Sequence, residues 1–303
     1  MGQINDTTLK ALTLSLRSEF NEGLKIKAPT WRKLAMYMPS TTATNMYSWL
    51  KGIPMMQEWI GERALRELDK DGLVIVNKTF EATVGVPRTD FEDDQLGQYR
   101  VVSRHLGENA AKLPDQLVWK LLEDGLTNRC FDGQCFFDAE HPLYSNANGT
   151  GNITFQSNLT KGNDDVPTWY VIDDSGTFKP IIWQERLAPE IEAKFSTNFE
   201  MVFMRDIYPY GARARGNAGY GFWQVAHAAV KTPLNGENLA AVIKKMRNLK
   251  TDGDQHLDIR PTTLIVPSQL EVAATKLLKA DIIDSTSNVW AGKLDLHVES
   301  RLS

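Results

Sequence analysis

The sequence predicts a mixed fold of the α+β class. Two segments, 6–22 and 95–125, carry helical periodicity over many residues. The stretch 169–230 is rich in strand formers and aromatics, and 79–86 alternates apolar with polar residues. Residues 235–280 then read as helix, strand, helix. At 303 residues, 42% hydrophobic and 24% charged, the chain has the size of about two domains with a sizeable core.

Residues 6–22 form the first expected helix. Asp6 can cap it, Leu9, Leu12, Leu16 and Phe20 recur on one face, and Gly23 is the expected stop. The loop-rich stretch that follows holds too few apolar residues for a core of its own, so this region reads as a tail or arm. Residues 57–86 read as a long ribbon turning at Asp69-Lys70-Asp71-Gly72. Beyond the turn, Phe80, Ala82, Val84 and Val86 alternate with Thr79, Glu81, Thr83 and Gly85, as in a half-buried strand. The arm before it mixes Trp59, Ile60, Leu65 and Leu68 with Arg63 and Arg66. A ribbon so long and charged is unstable alone. It needs a partner, either its own domain or another subunit.

In 95–125, Pro114 removes a helix donor and clashes with the preceding turn, so a break is expected near Leu113. Leu117, Val118, Leu121 and Leu122 make the second half amphipathic. Stacked in line, the two halves would span roughly 45 Å at 1.5 Å per residue. Residues 131–167 are loop-like, rich in Asn, Gly, Asp and Thr. Asn235 opens a helix that buries Leu239, Val242, Ile243 and Met246, and a strand follows from Thr262 to Val266. Ser268 and Glu271 have the spacing of a capping box ahead of the stripe Leu270, Ala273, Ala274, Leu277, Leu278. Leu294, Leu296 and Val298 alternate as a closing strand. No internal repeat is present.

Composition excludes several function classes. No apolar run approaches the length of a membrane span, and MGQINDTTLK does not read as a secretory signal. Two cysteines, Cys130 and Cys135, suit a reducing cytoplasm and supply no disulfide framework. A net charge of −4 argues against broad electrostatic binding to nucleic acid. The densest polar cluster runs from Cys130 to Pro142. A metal there would use Cys130, Cys135 and His141, which is too few ligands in the wrong spacing for a structural zinc, so no metal is expected. A hydrolase would use Asp132, Asp138, Glu140 and His141, yet no nucleophile elbow accompanies them. Gly211, Gly216, Gly219 and Gly221 lack the Gly-Lys-Ser/Thr of a phosphate loop. A nucleic-acid-binding accessory protein would use Arg213 and Arg215 with Lys244, Lys245 and Arg247, a set that more simply forms a solvated helix face.

Seven segments carry a resemblance: NKTFEATVG (77–85), DFEDDQLG (90–97), KLLEDG (120–125), FDGQCFFDAEHP (131–142), KPIIWQER (179–186), AGYGFWQ (218–224) and LIVPSQLEVAA (264–274). Together, and in order over nearly the whole chain, they resemble the major head proteins of phage Mu and Mu-like prophages. The resemblance implies the Hong-Kong-97-type phage capsid fold. It implies an N-terminal arm at 1–50, an E-loop at 51–86, a peripheral domain at 87–231 and an axial domain at 232–303. The peripheral domain would contain the spine helix at 95–125 and a loop insertion at 131–167. One departure is visible: the strand-rich block 169–230 stands between the spine helix and the axial block.

The resemblance also implies a structural protein without cofactor, assembled in a bacterial cytoplasm and found in the virion head. Its implied partners are copies of itself in pentameric and hexameric capsomers, a separate scaffolding protein, a portal protein, a decoration protein and packaged double-stranded DNA on the inner face. The expected subunit contacts are Trp59, Arg63, Arg66, Asp69 and Lys70 on the ribbon. Asp252 and Asp254 are expected in a polar loop, Thr251–Gln255, near the capsomer axis.

Overall fold

The computed structural model describes residues 6–51, 72–93, 97–193, 204–283 and 286–302. The helices among them are α1 (Asp6–Gly23), α2 (Arg88–Glu92), α3 (Gly97–Ala111), α4 (Leu113–Glu123), α5 (Gly236–Arg247) and α6 (Glu271–Lys279). The early strands are β1 (Ala35–Pro39), β2 (Thr44–Tyr47), β3 (Leu73–Val76), β4 (Lys78–Pro87), β5 (His141–Tyr144) and β6 (Ile153–Gln156). The middle ones are β7 (Leu159–Lys161), β8 (Trp169–Ile172), β9 (Ile181–Ala193), β10 (Ile207–Tyr220) and β11 (Ala226–Val230). Last come the short pairs β12 (Lys250–Thr251) with β13 (Gln255–His256) and β15 (Ile282–Ile283) with β16 (Thr286–Ser287), and the strands β14 (Thr263–Val266) and β17 (Asp295–Val298).

Two sheets organise the chain. One has the order β1-β9-β10-β4, with β1 parallel to β9 and the other neighbours antiparallel. The other has the order β17-β14-β8-β11-β7, parallel at both edges and antiparallel within. Every residue of β8 and β14 is buried, as expected of strands covered on both faces. On one face Leu264, Val266 and Val171 pack with Leu239, Val242, Met246, Leu277 and Leu278 of α5 and α6. On the other, Tyr170, Ile172 and Ile265 pack with Val118, Trp119 and Leu122 of α4 and with Phe136 and Phe137.

This topology alters the expected partition. β7, β8 and β11 lie outside 232–303, yet they share a sheet with β14 and β17. A cut at 231/232 therefore divides one sheet, because the chain crosses between sheets after β8 and again after β10. The 131–167 stretch is more ordered than its composition suggests: β5 and β6 form a hairpin within it, and β7 joins the five-stranded sheet.

α1 is docked on its own chain rather than tail-like. Leu9, Leu12, Leu16 and Phe20 are all buried in a cluster with Tyr99 and Leu106 of α3 and Tyr208 and Tyr210 of β10. The two helices cross closely: a Cβ on Gly23 would stand 2.0 Å from the Arg104 carbonyl oxygen, and one on Gly107 would stand 2.2 Å from that of Phe20. Only glycine permits that approach. The break expected at Pro114 is present, with Lys112 between α3 and α4 and the proline in the first turn of α4. Asp115, one residue on, is buried and accepts from the Thr30 and Trp31 amides at 2.9 and 2.7 Å. It thus satisfies the open end of the 3-10 turn Trp31–Lys33 from 84 residues away.

Two local expectations resolve differently. Asn235 caps α5, its side chain accepting from the Asn238 amide at 2.8 Å. Ser268 makes no such bond; residues Ser268–Leu270 form a 3-10 turn and α6 begins at Glu271, so no capping box forms. The turn expected at Asp69–Gly72 and the arm 57–68 lie outside the described residues, apart from Gly72. The described part of the ribbon divides at Asn77. β3 pairs antiparallel with β2, while β4 pairs antiparallel with β10.

Candidate functional site

The Cys130–Pro142 cluster is the densest polar stretch of the sequence, and its geometry is closed. Residues 129–135 make a tight turn in which the Cys130 amide donates to the Gln134 carbonyl at 2.8 Å. Cys130, Asp132 and His141 come within 4.8 Å of one another through their ligand atoms. Cys135 is not in that group. His141 is fully buried and stacks on Trp223 at 3.8 Å and 8°. Its Nδ1 faces Asp132 Oδ2 at 2.6 Å and its Nε2 faces Asn158 Oδ1 at 3.1 Å. Asn158 is oriented by its own Nδ2, which donates to the Phe136 and Trp223 carbonyls.

Two tetrahedral ligands about 2 Å from a zinc ion stand more than 3 Å apart. The 2.6 Å between His141 and Asp132 is the length of a direct hydrogen bond. Burial, the nearby Asp132 charge and the hydrogen bond to it push the Cys130 thiol far up, so it offers no thiolate. Burial alone would raise the Asp132 carboxyl. The His141 hydrogen bond and charge, with Cys130 and the Gln134 amide, outweigh it and hold the group below the usual range. Asp138 turns inward on its own backbone, accepting from the Ala139 and Glu140 amides, and Glu140 is exposed. The four residues of a hydrolase reading do not converge on one space. Asp132, Asp138 and His141 fasten the loop.

The basic residues are also scattered by the fold. Arg213 and Arg215 lie on β10, where Arg213 is opposite Glu81 on one side and Glu190 on the other. Lys244, Lys245 and Arg247 occupy the last turn of α5, where positive charge favours the helix dipole. Lys245 also donates to Thr160 Oγ1 at 3.0 Å.

The expected contact residues divide in two. Trp59, Arg63, Arg66, Asp69 and Lys70 lie outside the described residues. Asp252 and Asp254 are described, in the turn between β12 and β13. Asp252 Oδ1 accepts from the Tyr144 amide at 3.0 Å, and Gly253 returns a bond to the Tyr144 carbonyl, also at 3.0 Å. Asp254 pairs with Lys250 at 2.7 Å. The turn is thus stitched to the β5–β6 hairpin.

Sequence reasoning missed two exposed apolar faces. On the β2–β3 ribbon, Tyr47 and Ile75 face inward while Met46, Val74 and Val76 are 56, 50 and 52% exposed. Its inner side is tied down by buried Gln184, which accepts from the Tyr47 hydroxyl at 2.8 Å and donates to Asn77. On the β5–β6 hairpin, Ile153 and Phe155 are 51 and 59% exposed opposite Tyr144 and Pro142. The run LVIV carries no polar alternation that would have told which side faces out, and in ITFQ the alternation is present but its apolar side, Ile153 and Phe155, is the exposed one.

Among the described residues, a closed polar cluster beside two open apolar ribbons suits a protein that works by contact. A profile of the family "Mu-like prophage major head subunit gpT" matches residues 9–302. The chain belongs to that family. It is 41% identical to the major capsid protein of Escherichia phage Mu over 99% of both chains. It is 43% identical to the Mu-like prophage FluMu major head subunit of Haemophilus influenzae, over 93% of this chain and 92% of that one. Its fold matches a subunit of the bacteriophage JBD30 procapsid with a TM-score of 0.88 at 40% identity, covering 99% of this chain and 100% of that one. A subunit of the JBD30 capsid matches with a TM-score of 0.79 at 29% identity, covering 99% of each. The chain is therefore a structural head subunit of the phage capsid class and not an enzyme. Within the described residues no helix is long and apolar enough to cross a membrane.

Proposed function

We propose that this head subunit assembles with copies of itself, through pentameric and hexameric capsomers, into the icosahedral shell that encloses a phage genome. The observation that carries this is the end-to-end likeness to a procapsid subunit at 40% identity. Assembly would occur in the host bacterial cytoplasm with a separate scaffolding protein and a portal. Double-stranded DNA would lie against the inner face without sequence-specific contacts. A decoration partner is also proposed, since one related solved structure is a JBD30 capsid decorated with minor capsid protein trimers.

In this reading residues 51–86 are an E-loop whose outer half, with Trp59, Arg63, Arg66, Asp69 and Lys70, lies on a neighbouring subunit. The exposed Met46, Val74 and Val76 extend that contact to its root. α3 and α4 are the spine, and the five-stranded sheet with α5 and α6 is the axial unit. The Cys130–His141 cluster binds no stoichiometric metal, and one zinc per purified chain would overturn that statement.

Electron microscopy of the protein co-expressed with its scaffold tests the assignment, with shells or capsomer rings expected. Replacing residues 55–70 by a short Gly-Ser turn should leave a folded, soluble subunit that forms no stable shells. The cut must stop before Leu73, because Gln184 bonds the Ile75 carbonyl and β3 holds β2. Assembly equal to the parent would remove the E-loop assignment.

A further inference from the structure

Hydrophobic burial does not decide which side of the β2–β3 ribbon faces the body. All four residues of β3, Leu73-Val74-Ile75-Val76, are apolar, so burying either side of the strand gains a similar amount. Register is weakly specified in such a strand, and a slip of one residue exchanges its two faces. The ribbon nevertheless has one orientation. Asn45, Tyr47, Leu73 and Ile75 share the inner side, while Thr44, Met46, Val74 and Val76 share the outer side and are all exposed.

Side-chain amides hold that orientation. Gln184 of β9 and Asn217 of β10 are opposite one another in the four-stranded sheet, so both lie on one face of it. The ribbon crosses the sheet here closely: a Cβ on Gly219 would stand 2.3 Å from Ile75 Cδ1. Gln184 is fully buried. Its Oε1 accepts from the Tyr47 hydroxyl at 2.8 Å, and its Nε2 donates to the Ile75 carbonyl at 3.2 Å and to Asn77 Oδ1 at 2.8 Å. Asn217 Nδ2 donates to the Val76 carbonyl at 2.9 Å. Asn77 passes the chain of bonds on, its Nδ2 donating to Ser40 Oγ and to the Thr42 carbonyl, both at 2.9 Å. A ribbon turned over would carry the Tyr47 hydroxyl outward and leave the buried Gln184 amide without it. Leaving a buried polar group unmatched costs more than a made bond contributes, so a satisfied network singles out one arrangement where apolar contacts do not.

We propose that Gln184, supported by Asn217 and Asn77, is a positioning residue for subunit contact: it selects the side of the ribbon that is presented, and so offers Met46, Val74 and Val76 as one apolar surface to a second copy of this chain. The second copy as occupant rests on the shell-forming reading above. Val74→Cys and Ile75→Cys, each made alone and each combined with Gln184→Met, test the selection. The methionine keeps the length of the side chain and loses every hydrogen bond of the amide. Thiol labelling of the dissociated subunit is read above that of Cys130 and Cys135, measured on the chain without an added cysteine. With Gln184 in place, the Val74→Cys thiol should react fast and the Ile75→Cys thiol slowly. With Gln184→Met, the Ile75→Cys thiol should react about tenfold faster or more. Gln184→Met alone should raise the subunit concentration needed for assembly. Asn217→Ala, which frees the Val76 carbonyl and leaves Gln184 intact, should move both readings the same way by less, and it carries the test if Gln184→Met does not fold. An Ile75→Cys thiol equally protected in all backgrounds would overturn the selection. A thiol that opens while assembly stays at the parent's level would overturn its role in presenting a contact. A parent chain that forms neither rings nor shells would fail the shell-forming reading and the second copy with it, while the labelling rates would still decide what Gln184 selects.

Discussion

The five-stranded sheet and the β2–β3–β4 edge are built from similar residues and end in opposite states. In β8 and β14 every side chain is buried. In β4 the expected apolar face is fully covered only at one end: Val86 is buried, Val84 and Phe80 are half-buried, and Ala82 is exposed. On β3, Ile75 is buried between two exposed valines. The first region completes its core within the chain. The second leaves apolar surface in water, a state that contiguous patches adopt where another protein is meant to cover them. Stability should therefore be lodged in one region and assembly in the other.

The largest expected effect breaks that comparison from the enclosed side. Leu264→Ala opens a cavity between β14 and the two helices above it and should cost about 2–5 kcal/mol of subunit stability. The counterpart, Met46→Ser with Val74→Ser, trims side chains that are already half exposed and should change stability by less than about 1 kcal/mol. It should nevertheless weaken assembly, where Leu264→Ala acts only through the loss of folded subunit. Urea unfolding of the dissociated subunit separates the two. A large loss of stability in the Met46/Val74 variant would place that face inside the subunit's own core.

An intermediate effect comes from His227 on β11. Its ring is fully buried, Nε2 meets Thr160 Oγ1 at 2.9 Å, and Nδ1 has no partner. Burial, followed by the charge of Lys245, holds its pKa down at about 3. In the unfolded chain a histidine takes up its proton near pH 6.5. Below that pH the unfolded state binds a proton the folded state refuses, so stability falls with acid. The slope should approach about 1.4 kcal/mol per pH unit until the folded pKa is reached. His227→Gln should flatten this component between pH 6.5 and 5, read from urea midpoints. A slope unchanged by the substitution would assign the acid sensitivity elsewhere.

What could be read from the sequence follows the range of the interactions involved. α1, α5 and α6 were legible because one-face stripes such as Leu9, Leu12, Leu16 and Phe20 report burial locally, and the α3–α4 break was legible because proline acts on its own turn. The allotment of strands to sheets was not. β8 and the start of β9 are both apolar and close in sequence, yet they enter different sheets, and nothing in the local pattern encodes which partner each finds. Asp115 looks like an ordinary first-turn acid until Thr30 and Trp31, 84 residues and more away, supply its donors. Ser268 shows the converse: the right spacing for a cap, overridden by a 3-10 turn after Pro267. The chemical cluster was visible as a cluster. Its closure by Asn158 and Trp223 was not, because both arrive from distant segments.

The smallest expected effect concerns the Asp252–Asp254 turn, which belongs to neither extreme. Asp254 is 75% exposed and paired with Lys250, and an exposed pair of that kind contributes little to folding. Its backbone is left-handed, with φ of +63°, a conformation asparagine adopts readily. Asp252 holds the Tyr144 amide through a carboxylate oxygen, and an asparagine carbonyl oxygen can accept the same bond. Asp252→Asn with Asp254→Asn should therefore leave the unfolding midpoint of the subunit unchanged within error. If the turn meets its copies around a capsomer axis, removing two negative charges per chain relieves like-charge repulsion there. Such repulsion amounts to about 1 kcal/mol per pair at 4 Å in water and more where water is excluded. Assembly of the variant should then proceed at lower salt than that of the parent. A variant that folds normally and assembles with the parent's salt dependence would put the turn away from the axis. The β5–β6 hairpin to which it is stitched would move with it, since the Tyr144 bonds hold the two together.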